Sequence, residues 1–207
     1  MLSSRLGINV DLFLATKVWT TGEAAGVKQL EASLRRLGRE RLELMQIHNL
    51  VDWRVHLKTL RAWKEQGRFR YIGVTHYQRS AFPELERIVR EEKIDFVQLP
   101  YSIEMREAEK RLLPAARDAG VAVLVMRPFE VGGLFEKVRK EPLPDFVREF
   151  AGSWAQAFLK FILAHEVVTA VIPATSRPEH MKDNLEAGFG PLPDVKARVR
   201  LVAAVRG

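Results

Sequence analysis

Short apolar runs alternate with stretches of helical period along most of the chain. Asp11-Leu12-Phe13-Leu14-Ala15-Thr16 reads as a buried strand. Thr20 and Glu23 stand at capping-box spacing, and Val27, Leu30, Leu34 and Leu37 mark one helix face that Gly38 ends. Leu42 to Ile47 predicts a second strand, and Leu57, Leu60 and Trp63 a helix ending at Gly67. Tyr71–Val74 predicts a third strand, followed by a helix capped by Ser80 and carrying Leu85, Ile88 and Val89. Phe96–Leu99 is the fourth strand, halted by Pro100, and Leu112, Ala115 and Ala119 mark a helix ending at Gly120. Val121–Met126 is the fifth strand. Arg127–Gly152 holds three prolines and two adjacent glycines and reads as a long loop with one helical turn, of the kind used as lids and binding loops. Trp154–Leu163 is helical and Val167–Ile172 is the sixth strand. Ser176 and Glu179 repeat the capping-box spacing with Pro178 in the first turn, and 194–205 predicts a terminal helix.

Six β-then-α units in series require parallel strands joined by right-handed crossovers. Either an open doubly wound sheet or a (β/α) barrel satisfies that pattern; a closed eight-fold barrel typically takes about 250 residues. The chain has 207 residues and reads as one domain, 1–207. Hydrophobic residues make up 47% and charged residues 29%, which excludes a disordered or fibrous chain. No apolar run reaches the ~18 residues of a bilayer-spanning helix, and Asn9 and Asp11 interrupt any signal-peptide core. Cysteine is absent, so thiolate chemistry and Cys-ligated metals are excluded and a cytoplasmic protein is the simplest expectation. The net charge of +7 is scattered among acids, as in Arg39-Glu40-Arg41, which favours a solvated surface over a nucleic-acid or membrane-binding face.

In parallel α/β folds ligands sit at the carboxyl ends of the strands. The residues closing the strands are Thr16-Lys17, His48-Asn49, Thr75-His76, Gln98, Met126-Arg127 and Pro173 to Ser176. Lys17 reads either as a surface lysine or as a cation that tunes a neighbouring acid in a dry cleft. His48 reads as a core histidine or as a hydrogen-bond donor or general acid at a carbonyl. His56, on a helix, reads as surface. His165-Glu166 fails the zinc-helix pattern because Thr169 stands where the second histidine belongs, so no metal is expected. The sixth strand runs through Ala174-Thr175-Ser176-Arg177 into a helix whose N-terminus fits a phosphate as readily as it fits an ordinary cap, with Asp183 and Asn184 two turns further on. No GxGxxG follows a strand, which disfavours a Rossmann domain.

Taken in order, Leu14-Ala15-Thr16-Lys17-Val18, Gln46-Ile47-His48-Asn49, Ile72-Gly73-Val74-Thr75, Val97-Gln98-Leu99-Pro100-Tyr101-Ser102 and Val171-Ile172-Pro173-Ala174-Thr175 resemble the aldo-keto reductase family from about Ser3 to Leu185. The resemblance implies an eight-stranded (β/α) barrel that binds NADPH, less often NADH, and reduces aldehydes and ketones. It implies a catalytic role for Lys17 and His48. It places Thr75, His76 and Gln98 on the nicotinamide carboxamide and Met126 where many members stack a tyrosine. It sets Thr175, Asp183 and Asn184 on the adenosine and its phosphate, with Arg127, Ser176 and Arg177 in the same cofactor surface. The family's lysine and arginine on the 2′-phosphate fall at Ala174 and His180, which leaves the choice of NADP over NAD open.

The family's catalytic aspartate and tyrosine lie upstream of the lysine, and the expectation is that this chain begins after them, with the first two barrel strands missing. Tyr71, Tyr77 and Tyr101 all lie downstream. Two functions follow: a reductase of small carbonyl compounds, or an NAD(P)H-binding module impaired in turnover. The expected shortage of strands leaves 11–16 and 167–172 as edges, so the sheet either closes as a smaller barrel or buries its edges in a homo-oligomer.

Overall fold

The computed structural model describes residues 12–206. In chain order its main elements are β1 (Ala15–Val18), α1 (Glu23–Leu37), β2 (Leu42–His48), α2 (Trp53–Glu65), β3 (Phe69–Thr75), α3 (Phe82–Glu91) and β4 (Phe96–Pro100). There follow α4 (Leu112–Asp118), β5 (Ala122–Met126), α5 (Gly133–Lys137), α6 (Asp145–Arg148), α7 (Trp154–Leu163), β6 (Val168–Val171), α8 (Pro178–Glu186) and α9 (Val195–Arg206).

Every neighbouring pair of strands is parallel, and the order in space is the order in sequence, β1 to β6. This is an α/β sheet of (β/α)-barrel type with six units. Among the described strands β1 and β6 are the two edges and do not pair with each other, so the arc is open and the smaller closed barrel is not what forms.

Alternation along the strands divides the side chains between two faces. Val18, Met45, Ile47, Ile72, Val74, Val97, Leu99, Val123 and Val125 join the helices in one large core. The opposite, concave face holds a small second cluster of Leu44, Phe96 and Leu124 with Tyr71, Ala122 and Ala170 against it. That floor lies toward the amino ends of the strands, one layer below the polar residues that close them.

Several local expectations need correction. The first strand is Ala15–Val18, not a buried run from 11; Asp11 lies outside the described residues. Pairing with β2 begins only at Leu14, whose N–H donates to Glu43, and Phe13 is 52% exposed with its ring stacked on Tyr71. Apolar periodicity cannot locate the residue at which pairing starts. Neither expected capping box forms. The N-cap of α1 is Gly22, whose N–H donates to Asp52 at 2.7 Å, and that of α8 is Arg177. Ser80 sits in a 3₁₀ turn, Arg79–Ala81, that precedes α3 and leaves Ala81 as its N-cap. The 127–152 loop carries not one helical turn but a 3₁₀ turn, Glu130–Gly132, followed by α5 and α6.

His56 is not on the surface. It is 1% exposed and its Nε2 pairs with the Thr20 carbonyl oxygen at 2.7 Å. Gly26 on α1 makes the space: a Cβ there would lie 2.6 Å from the imidazole.

Candidate active site and adjoining cleft

The register brings the strand-closing residues onto one surface. Lys17 pairs with Gln46, His48 with Thr75, Thr75 with Gln98, and Pro100 with Met126. Lys17, Gln46, His48, Thr75, Gln98 and Met126 therefore line the concave face at the carboxyl ends of β1 to β5. The backbone marks the same end. Among the described residues, all six non-glycine residues with left-handed φ, namely Asn49, Leu50, Asp52, Arg127, Glu130 and Val131, lie in the loops that leave β2 and β5. Such conformations cost energy and cluster where a site fixes its loops.

Lys17 is half-buried, and that burial lowers its ammonium pKa from the ordinary lysine value. His48 is half-buried too. Burial first, then the charge of Lys17, then that of His76, all push its imidazole below the usual range. At neutral pH His48 is thus a neutral hydrogen-bonding group rather than a proton reservoir. The Trp19 indole packs on it, 5.3 Å between ring centres.

Gln98 is held by a buried bond from Gln46 Nε2 to its Oε1, 3.1 Å long. That bond passes from β2 to β4 across β3, where Gly73 carries no side chain to obstruct it. The Gln98 amide nitrogen has no protein partner among the described residues, while Thr75 Oγ1 is buried and without one. A carboxamide needs both a donor and an acceptor, and this pair offers them. His76 donates its backbone N–H to the Gln98 carbonyl at 3.3 Å, and its Nδ1 accepts from Gln78 N–H at 3.1 Å. That bond places the ring proton on Nε2, facing away from its own turn. Met126 is half-buried at the end of β5, and Arg127 is exposed with its guanidinium 4.7 Å from the Tyr77 ring centre.

Three residues beyond Met126, Phe129 begins the wall of a cleft of about 380 Å³. Trp154, Thr175, His180, Asp183 and Asn184 form the rest of it. The Asp183 carboxylate accepts from Ser153 Oγ and Gln156 Nε2, both at 2.7 Å, and so ties α8 to the first turn of α7. Ser153 also caps α7 by accepting from Gln156 N–H at 3.1 Å. Thr175 Oγ1 accepts from Arg177 N–H, and Ser176 is an exposed bend. The Arg177 guanidinium is committed to Glu179 at 2.6 Å, and the Glu179 carboxyl is held below the usual range by a backbone N–H and then by Arg177. The cation expected to meet a phosphate is thus partly neutralised by its own helix.

Sequence reasoning missed Trp19, Ser153 and Trp154, and gave Gln46 no role. For Gln46 a signal existed: a polar amide inside the apolar run of β2 requires a buried partner.

The polar mouth of a six-unit parallel (β/α) sheet is thus joined by one loop to a second cleft. Residues 4–198 match the model of the aldo/keto reductase family, and the chain belongs to that family. It is 27% identical over 189 residues to the uncharacterized oxidoreductase YrpG of Bacillus subtilis, covering 77% of this chain and 57% of that protein. It is 25% identical over 185 residues to the methylglyoxal reductase YeaE of Escherichia coli, covering 86% of this chain and 64% of that protein. The matches span between 38% and 64% of the curated relatives' lengths. Among solved structures, the holo form of an aldo-keto reductase from Bacillus halodurans superposes with a TM-score of 0.75 at 24% identity, over 94% of this chain and 72% of that one. A thermostable aldo-keto reductase solved with the inhibitor epalrestat gives a TM-score of 0.68 at 27% identity, over 94% and 71%.

Proposed function

We propose that the chain carries the site of an NAD(P)H-dependent reductase of small aldehydes or ketones, within one domain spanning 1–207. The observation that carries this reading is the pairing of the orphaned Thr75 hydroxyl with the free Gln98 amide, on the same face as Lys17 and His48. These two groups fit a nicotinamide carboxamide, and Met126 supplies an apolar seat for the ring. The cleft at Thr175, His180, Asp183 and Asn184 fits the adenosine end, with Ser176 and the first turn of α8 beside it. When bound, the reduced nicotinamide supplies a hydride.

The chain's own residues then handle the oxygen. The neutral His48 ring donates a hydrogen bond that orients the carbonyl. Lys17 stabilises negative charge as the oxygen becomes an alkoxide, and its desolvation strengthens that interaction. One hydride and one proton convert the carbonyl to an alcohol, and in the family a tyrosine tuned by the lysine delivers the proton.

A second reading, binding without turnover, is favoured by one observation. Among the described residues no tyrosine faces Lys17: Tyr101 is buried with its hydroxyl on Glu109, Tyr71 lies in the floor cluster, and Tyr77 stacks on His76. Titration with NADPH followed by addition of a reactive aldehyde separates the two. The reductase reading predicts saturable binding and NADPH oxidation that Lys17→Met reduces at least about 100-fold, the lower range of acid–base contributions. Binding with no oxidation selects the second reading, and absence of binding contradicts both.

A further inference from the structure

The charges at the mouth of the sheet are one-sided. Among the described residues the standing cation that acts on the His48 ring is Lys17; His76 adds to it only when protonated, and no carboxylate opposes them. His76 lies face to face with Tyr77, ring centres 5.5 Å apart and planes within 4°. The Arg127 guanidinium covers the Tyr77 ring from β5, and Arg127 forms no ion pair among the described residues. The nearest acid in its own loop, Glu130, is taken up by Ser102 Oγ. Elsewhere along the rim Glu104 is neutralised by Lys137, while Asp52 accepts the Gly22 N–H and keeps its charge.

The adenosine end of the dinucleotide does not account for this charge. The proposed adenosine cleft lies beyond Phe129, against α7 and α8, whereas Arg127 turns toward Tyr77 and the end of β3. Stacking on an aromatic face leaves the guanidinium edge, with its row of N–H donors, open to a planar anion. His76 adds a donor, since its Nδ1 is occupied by Gln78 N–H and its proton is on Nε2.

We propose that the Arg127–Tyr77–His76 stack beside His48 is a docking point for a carboxylate on the substrate, so that the preferred substrates are aldehydes or ketones that also carry a carboxylate. This inference deepens the reductase reading and rests on it. Arg127 anchors the acid group, and His48 meets the carbonyl of the same molecule. Arg127 is then a specificity residue, where the sequence alone assigns it to the cofactor.

The probe pair is 4-oxopentanoate and its methyl ester, which share the reacting ketone and differ in charge. Each is titrated into the protein with NADPH present, and the imidazole NMR signals of His48 and His76 are followed. The acid is expected to shift both signals at concentrations about tenfold lower than the ester, a gap of ~1.4 kcal/mol. In Arg127→Gln, an exposed change that leaves the core untouched, the gap shrinks to within about threefold. NADPH affinity, read by fluorescence, stays the same in that variant. Equal response to acid and ester, or a preference that survives Arg127→Gln, overturns the proposal. So does a parallel loss of NADPH affinity, which gives Arg127 to the dinucleotide. If NADPH fails to bind the unaltered protein while the Arg127-dependent acid preference persists without it, the reductase reading falls and the carboxylate site stands.

Discussion

Replacing Gly73 by alanine puts one methyl group at the tightest point between β3 and β4. A Cβ at this position lies 2.4 Å from the Phe96 carbonyl oxygen, 2.9 Å from Phe96 Cβ and 3.0 Å from its carbonyl carbon. Two of those atoms belong to the backbone of a strand paired on both sides, so no side-chain rotation relieves the overlap. The φ of Gly73 is outside the left-handed region, so the penalty is steric rather than conformational. Overpacking of this kind costs about 1–3 kcal/mol. Alanine recovers roughly 0.5–1 kcal/mol through lower backbone entropy in the unfolded chain. The net loss is about 2 kcal/mol at the upper end of the steric range, and for a chain of this size each kcal/mol moves the melting temperature by about 2–4 °C.

Calorimetry is therefore expected to show Gly73→Ala melting about 4–8 °C below the unaltered protein. Gly133→Ala is the control, since its nearest atom is 3.9 Å away and its φ of −58° suits any residue. The same methyl group intrudes beneath the Gln46–Gln98 bond, so NADPH affinity falls in Gly73→Ala and not in the control. If Gly73→Ala melts within about 1 °C of the unaltered protein, the close strand approach is not real and the reasoning fails.

Two further outcomes test the electrostatics. His48, His76 and His165 all have imidazoles pushed below the usual value, first by burial in each case. The unfolded chain therefore binds more protons just below pH 6.5, and stability falls as pH drops from about 7 toward 5.5. Urea midpoints across that window check this, and a flat or rising midpoint would refute it; in Lys17→Met the His48 NMR titration moves part of the way back up. Lys160, 2% exposed, donates to the Phe189 carbonyl and, at 3.0 Å, to that of Pro191, so Lys160→Met keeps the packing but strands two acceptors. That variant is expected to lose about 1–3 kcal/mol and to be cut faster by protease within 187–194; unchanged cleavage there would show that the lysine does not hold the segment.

The strands were readable in the sequence because each is a near-continuous apolar run closed by a polar residue, as buried parallel strands are. That same feature sets Lys17, His48, Thr75, Gln98 and Met126 at the closing ends of their strands. What the sequence hid depends on partners distant along the chain. His56 looks like a surface residue on α2 until Gly26, thirty residues earlier, is seen to open a slot for it. Thr20 and Ser176 have the spacing of caps, yet the loops before α1 and α8 are fixed by Asp52 and by the Arg177–Glu179 pair instead. Arg177 illustrates the limit most clearly, because its availability to a phosphate turns on a neighbour two residues away whose rotamer no pattern predicts. The tethering of Asp183 by Ser153 and Gln156 is likewise a tertiary fact, invisible in the helix that carries it.

The central claim is that one dinucleotide runs from the Thr75–Gln98 pair to the cleft at Thr175–Asn184. A crystal structure with NADP⁺ bound tests this directly. The account predicts the carboxamide within hydrogen-bonding reach of Gln98 Nε2 and Thr75 Oγ1, the ring over Met126, and the adenosine between Trp154 and Asn184. A dinucleotide found elsewhere on the chain, or a nicotinamide turned away from Lys17 and His48, would contradict it.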